Sequence, residues 1–257
     1  MKPEAAAKAA AYLAHCWRMG DTVAELPEAI RPKTTRDGMQ VQAALIAELD
    51  LPVAGWKVGC TSRAAQRYLK IRQPIAGRLI ATRLFENQVA LPSSGCRGIE
   101  GEFAFVLGRD LPPRKRPYTR AEVRAAIKTL RPALEIIDPR YTDWLKVNAA
   151  SIVADLSGNG WLILGAPVPR WRTLDLRKQT VRVTVDGKPT AEGTGAEALG
   201  DPLKVMVWLA NFLRAQQGLK AGEIVTTGTC TGFFRAPPTS TVVADFGKFG
   251  RLQVEFG

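Results

Sequence analysis

The chain has 257 residues, 46% apolar and 23% charged, proportions of a globular protein that exclude disordered, fibrous and low-complexity classes. Lys and Arg total 36 against 24 acids, a formal net charge of +12, which favours anionic partners. No apolar run nears the roughly 20 residues a membrane helix needs, and the absence of any CxxC pair argues for four reduced thiols in a cytoplasmic protein.

In chain order, Ala5–Met19 is rich in strong helix formers and stops at Gly20. Glu4 and Lys8 interrupt its apolar residues, so it reads as an amphipathic helix and not as a signal peptide. Asp37–Leu49 is a second helix, and Ser62 caps a third that reaches about Lys70. Between them Val53–Gly59 is strand-like. Gly101–Leu107 is a strand. Thr119-Arg-Ala-Glu122 is a capping box that opens a helix to about Leu130, ended by Pro132. Ala133–Ile137 and Trp161–Leu164 follow as strands, and Val181–Val185 runs into the hairpin signal Asp186-Gly187. Asp201-Pro202 opens a helix to about Gln217, closed by Gly218. Glu223–Thr227, Thr241–Asp245 and Arg251–Phe256 are the last strands. This is no repeating βα unit, so a doubly wound sheet is not expected. The expected class is α+β, as one domain over 1–257 with a mostly helical portion (1–70) and a β-rich core (71–257).

The chemistry-bearing segments are few. In a strand, Glu100 and Glu102 share a face with Ala104 and Val106. Two carboxylates on an apolar strand repel, and burying them is costly unless a cation is present; an exposed edge strand is the alternative. Glu135 sits alone in the apolar run Pro132-Ala-Leu-Glu-Ile-Ile-Asp138. Three carboxylates make a hard, all-oxygen site suited to Mg²⁺, Mn²⁺ or Ca²⁺ and unsuited to zinc. Lys57, bracketed by Gly55 and Gly59, either reaches a substrate oxygen beside that site or snorkels to the surface. Gly228-Thr-Cys-Thr-Gly232 is either a turn or an anion cradle. The one histidine, His15, lies in the first helix, which argues against a His-based metal site or a Ser-His-Asp triad. Arg114-Lys-Arg116 is the only basic run and has no aromatic or finger motif beside it, so no nucleic-acid partner is expected.

The order of these segments is more specific than any one of them. Gly55-Trp-Lys-Val-Gly-Cys-Thr-Ser62, Ile99-Glu-Gly-Glu-Phe-Ala-Phe105 and Pro132-Ala-Leu-Glu-Ile-Ile-Asp-Pro-Arg-Tyr141 come first. Ala154-Asp155 before Gly160, Gly200-Asp-Pro-Leu203, Trp208-Leu-Ala-Asn211, Ala221-Gly-Glu-Ile-Val-Thr-Thr-Gly-Thr229 and Ala244-Asp-Phe-Gly-Lys-Phe-Gly250 follow. Over nearly its whole length the chain resembles the 2-keto-4-pentenoate hydratase / 2-oxohexenedioate decarboxylase family of the fumarylacetoacetate hydrolase superfamily.

That resemblance implies a β-rich rolled mixed sheet with helices around it. It implies Mg²⁺ or Mn²⁺ on Glu100, Glu102 and Glu135, a functional Lys57, and substrate contacts at Ser62, Asp155, Ser157 and Thr229. A small anionic 2-oxo acid substrate, a homo-oligomer and association with a related pathway enzyme in aromatic catabolism are further implications. Hydration of 2-hydroxypenta-2,4-dienoate is the leading reaction. Decarboxylation of 2-oxo-3-hexenedioate and a non-catalytic partner subunit are the alternatives. There are departures: hydratases of the family often carry an acid in a Pro-Asp-aromatic-Gly segment, and here Gln73-Pro-Ile-Ala-Gly77 puts Ile75, which does no acid–base work, at that place; His15, the one histidine, lies in the first helix, against histidine-activated C–C hydrolysis; and the Asp-Asn-Ala-Ser type run of relatives is Asp155-Leu-Ser-Gly-Asn159.

Overall fold

A computed structural model describes residues 1–257. Chain order is α1 (Pro3–Met19), α2 (Thr35–Leu49), β1 (Val53–Gly59), α3 (Arg63–Tyr68), β2 (Ile75–Ile80), β3 (Leu84–Glu86), β4 (Gln88–Leu91), β5 (Gly98–Leu107), α4 (Arg120–Ala126), β6 (Ile127–Ile137), α5 (Ala149–Ala154), β7 (Asn159–Leu164), β8 (Thr180–Val185), β9 (Lys188–Thr194), α6 (Pro202–Leu213), β10 (Ile224–Thr226), β11 (Phe234–Arg235), β12 (Thr241–Asp245) and β13 (Arg251–Phe256). One sheet runs β2-β1-β10-β5-β6-β7-β3, with β11 also paired to β5; the second runs β4-β13-β12-β8-β9. Both are mixed: β1/β10, β3/β7 and β4/β13 are parallel. The α+β, rolled mixed-sheet expectation is met. No helix is long and apolar enough to cross a membrane.

Strand alternation decides what each face of β5 does. Ile99, Phe103 and Phe105 are fully buried in the main apolar cluster, which spans both sheets and takes in α4 and α6. Phe103 meets Phe246, directly after β12 of the second sheet, edge-on with ring centroids 5.9 Å apart. The other face, carrying Glu100 and Glu102, turns toward the helical side of the molecule. There a second cluster joins Leu13 of α1, Val41 and Leu45 of α2, Ile80 of β2 and Val153 of α5. Gln42, buried on α2, ties this helical layer to the sheet. Its Nε2 donates to the Ala76 and Val153 carbonyls at 3.2 and 2.6 Å, and its Oε1 accepts from the Arg78 amide at 3.1 Å.

Several boundaries differ from the sequence reading. The helix opened by the Thr119 capping box ends at Ala126, not near Leu130, and the chain passes directly into β6. Proline forces its predecessor toward extended backbone, so Pro132 acts on a strand: it faces Phe103 in the β5/β6 ladder. α3 ends at Tyr68 and α6 at Leu213, each shorter than expected. The elements not foreseen include the short strands β3, β4 and β11 as well as β2 and α5. β2 pairs antiparallel with β1, and its Gly77 is required because a Cβ would collide with the Leu156 carbonyl. α5 is a six-residue buried helix whose N-cap Asn148 accepts from the Ser151 amide at 2.8 Å.

Candidate active site

β5 and β6 pair so that Glu100 lies directly opposite Glu135 and Glu102 opposite Ala133. The two strands therefore place all three carboxylates on one face. One oxygen from each lies within 4.8 Å of the other two. Lys57 stands on β1, three strands from β6 in the order β1-β10-β5-β6. At about 4.8 Å per strand a flat sheet would hold these backbones some 14 Å apart. Curling of the sheet brings both long side chains inward, and Lys57 Nζ sits 2.8 Å from Glu135 Oε1. This is a buried ion pair.

The Gly228–Gly232 turn supplies the next contact. The Gly228 amide donates to Glu102 Oε2 at 2.8 Å, so the segment cradles an anion that belongs to the protein itself. Gly228 has φ of +82°, and a Cβ there would collide with the Thr61 side chain, so glycine is needed for the amide to reach the carboxylate.

The electrostatics are one-sided. Glu102, Glu135 and Lys57 are almost fully buried, and three carboxylates face one ammonium. Burial pushes the Glu100 carboxyl up to about 7, with Lys57 opposing and Glu135 adding to the rise. Burial, then Glu135 and Glu100, hold Glu102 well above the carboxylate range. Burial alone would lower the Lys57 ammonium, but Glu135, Glu100 and Glu102 outweigh it and raise it above the ordinary lysine value. Glu102 Oε1 and Glu135 Oε2 have no hydrogen-bond partner although buried. Unpartnered buried carboxylate oxygens are costly, and a divalent cation offsets the two excess negative charges. The all-carboxylate donor set fits a hard cation.

Any cation held by these three carboxylates would bind in a pH-dependent way. Between pH 4.5 and about 7 the Glu100 carboxyl binds more protons in the folded than in the unfolded chain. Its contribution to the metal-free fold is therefore full below 4.5 and is lost as pH rises through 7. A cation must displace those protons. The rise in Tm produced by saturating Mn²⁺ is expected to grow steadily from pH 5 to pH 8 in differential scanning fluorimetry. A flat or shrinking increment would contradict the assignment.

A cavity of about 380 Å³ opens over the cluster; Lys57, Glu100, Ser62, Ser157 and Thr229 are among its lining residues. Ser62 also caps α3, accepting from the Ala65 amide at 3.1 Å. Ser157 Oγ is buried and unpartnered, and Ser157 itself is held at φ of +55° between Leu156 and Gly158, both also at positive φ. Such strain outside glycine persists only where surrounding structure enforces it. Thr229 Oγ1 donates to the Gly232 carbonyl at 3.1 Å within its turn. Cys60, at the cavity wall, is a neutral thiol: burial, aided by Glu100 and opposed by Lys57, pushes it up to about 12. His15 is exposed on α1.

Asp155 stands apart from this group. It is fully buried, but its Oδ1 accepts from Arg140 Nε and its Oδ2 from the Arg140 amide, both at 2.7 Å, and it does not line the cavity. Arg140 also donates to the Asn159 carbonyl and covers the Trp17 ring. The pair ties the start of β7 to the loop after β6. Removing one member strands the other in the interior, so Asp155→Ala is expected to cost about 3–5 kcal/mol of stability. Urea unfolding reads this directly. Substrate KM in the surviving folded fraction is expected to stay within about twofold; a large KM change with normal stability would assign Asp155 to the substrate instead.

Sequence reasoning missed the aromatic members of the cavity. Trp144 and Phe233 meet edge-on with ring centroids 5.4 Å apart, and both lie outside helices and strands. The one signal for Phe233 is Gly98: a Cβ there would collide with the Phe233 ring.

A curled mixed sheet that gathers three carboxylates and a lysine beneath a cavity is the site of an enzyme acting on a small molecule. Residues 5–256 match the family model described as fumarylacetoacetate (FAA) hydrolase C-terminal, and the chain belongs to that family. It is 30% identical over 262 residues to a 2-keto-4-pentenoate hydratase of Paraburkholderia xenovorans, covering 100% of this chain and 96% of that protein. It is also 30% identical over 229 residues to a 4-oxalocrotonate decarboxylase of a Pseudomonas species, covering 86% of each. A solved 4-oxalocrotonate decarboxylase of Pseudomonas putida, complexed with magnesium and adipate, shares the fold with a TM-score of 0.91 at 24% identity, covering 100% and 99% of the two chains. These relatives are lyases.

Proposed function

We propose that the protein is a divalent-metal-dependent lyase for a small 2-oxo or 2-hydroxydienoate, in the first place a hydratase of 2-hydroxypenta-2,4-dienoate type substrates. The observation that carries this reading is the contact of Lys57 with a Glu100–Glu102–Glu135 cluster whose Glu100, like Lys57, lines a cavity. Glu100, Glu102 and Glu135 would hold Mg²⁺ or Mn²⁺; the magnesium in the Pseudomonas putida relative supports the class of ion. When bound, the cation supplies Lewis-acid stabilisation of negative charge developing on the substrate's 2-oxygen.

The chain's own residues do the rest. Lys57, kept protonated by its carboxylate neighbours, donates from Nζ toward substrate oxygen and offsets charge that develops there. Ser157 Oγ has its donor and acceptor free for the substrate carboxylate or an attacking water. Proton transfer from the 2-hydroxyl to C5 gives a 2-oxo-3-enoate, whose C4 is electrophilic, and water adds there with its proton going to C3. The apolar wall of the cavity excludes bulk water and strengthens each of these contacts.

The single working unit is the whole of 1–257, because α2 and α5 close over the sheet that bears the site. Four free thiols support cytoplasmic placement; a homo-oligomer and a related pathway enzyme as partner complete the proposal. Ultraviolet loss of 2-hydroxypenta-2,4-dienoate is expected with Mg²⁺ or Mn²⁺ and not with EDTA. Decarboxylation is the second reading, favoured by the 30% identity to the decarboxylase; CO₂ release from 2-oxohex-3-enedioate would select it. Tight Mn²⁺ binding without turnover of either compound would defeat both.

A further inference from the structure

The structure assigns the far end of the cavity to an apolar substrate tail: we infer that the preferred substrates are monoanionic 2-hydroxydienoates bearing an alkyl or aryl group of several carbons beyond C5. This rests on the lyase reading above and adds the tail class to it. The argument begins with β-sheet register. Glu100 faces Glu135 across β5 and β6, and two residues further along the same face Gly98 faces Ile137. Two residues of strand span about 7 Å, close to the reach of a dienoate from its carboxylate to C5. Any atoms beyond C5 therefore arrive where Gly98, Ile137 and the Phe233 ring meet.

That region is built for apolar contact. Leu69, Ile75, Ile137, Trp144, Leu145 and Phe233 line the cavity, and Trp144 and Phe233 form an edge-on corner. Lys57 is the only cation in the lining, and it is engaged by Glu135 at the opposite end. The tail wall offers one unpartnered neutral donor, Trp144 Nε1, and no charge. A second carboxylate there would be desolvated without a counter-ion, which is strongly unfavourable. The cavity of about 380 Å³ holds roughly a dozen waters' worth of space, more than a five-carbon dienoate fills.

The test compares tails on one head group. Turnover would be measured for 2-hydroxypenta-2,4-dienoate, its 6-phenylhexa-2,4-dienoate homologue and the dicarboxylate 2-hydroxymuconate. Calorimetric affinity, with Mn²⁺ present, would be measured for the unreactive 2-oxopentanoate, 2-oxo-6-phenylhexanoate and 2-oxoadipate. Burial of apolar carbons gives on the order of fourfold per methylene. The phenyl compounds are thus expected to exceed the five-carbon ones by at least about 10-fold, and the dicarboxylates to fall about 100-fold below the phenyl compounds. Leu145→Arg, which puts a cation in the wall, is expected to reverse the order of 2-oxoadipate and 2-oxo-6-phenylhexanoate.

Equal affinity across tails, or tighter 2-oxoadipate on the unmodified protein, overturns the inference even if the five-carbon dienoate is hydrated. Loss of turnover for every dienoate with the tail preference in binding intact removes the lyase reading and upholds the tail assignment.

Discussion

Glu102→Gln is expected to abolish tight Mn²⁺ binding and to lower turnover by about 10³-fold or more, beyond the 10–100-fold typical of residues that only orient a metal ligand. The glutamine keeps the shape of the side chain, and its carbonyl oxygen can still accept from the Gly228 amide that holds Glu102 Oε2. What disappears is one of three negative charges. The same substitution is expected to stabilise the metal-free protein. Glu102 is buried, with its carboxyl driven well above the usual range by burial and then by Glu135 and Glu100, so it opposes folding until a cation arrives. Relief of that strain should add about 1 kcal/mol, roughly 2–4 °C in Tm for a chain of this size. Isothermal titration with Mn²⁺ and thermal unfolding in EDTA measure the two effects separately. Weaker metal binding together with a lower metal-free Tm would mean that Glu102 serves the fold instead of the ion.

How much of this was legible beforehand depended on how local the signal was. Glu100 and Glu102 share a face because strand period is two, and that required no tertiary information. Glu135 stood out because a charge inside Ala133–Ile137 has no local reason to be there. Lys57 was ambiguous: a lysine on a strand reaches either way, and only the curl of the sheet, a property of the order β1-β10-β5-β6, brings Nζ to Glu135. Asp155 shows the converse. Its partner Arg140 is fifteen residues upstream, on a loop whose return path no spacing encodes, so its ion pair could not be foreseen. α5 was overlooked because six residues, all buried, are too few to show an amphipathic period; its Asn148 cap was the readable signal. Trp144 and Phe233 lie on loops, where apolar residues have no periodicity to mark them, and the tail end of the cavity was invisible for that reason.

Lys57→Met separates catalysis from metal binding. Removing the ammonium proposed to face substrate oxygen is expected to lower kcat by about 10²–10³-fold. Metal affinity should move the other way or stay unchanged, since the substitution deletes the positive charge 2.8 Å from a Glu135 oxygen and with it a repulsion against any cation on the same carboxylates. In the metal-free protein Glu135 loses its only charge partner, and stability should fall by about 3–5 kcal/mol; saturating Mn²⁺ is expected to restore most of it by taking over the charge. Lys57 is also poorly suited to act as a base at neutral pH. A catalytic lysine base has its ammonium lowered toward 7, whereas here burial's downward pull is outweighed by Glu135, Glu100 and Glu102. Stopped-flow turnover beside Mn²⁺ titration of the same variant reads both quantities. A fall in kcat that tracks loss of Mn²⁺ affinity would make Lys57 a support of the metal site; a fall in kcat with affinity retained or improved gives it a direct contact with the reacting oxygen.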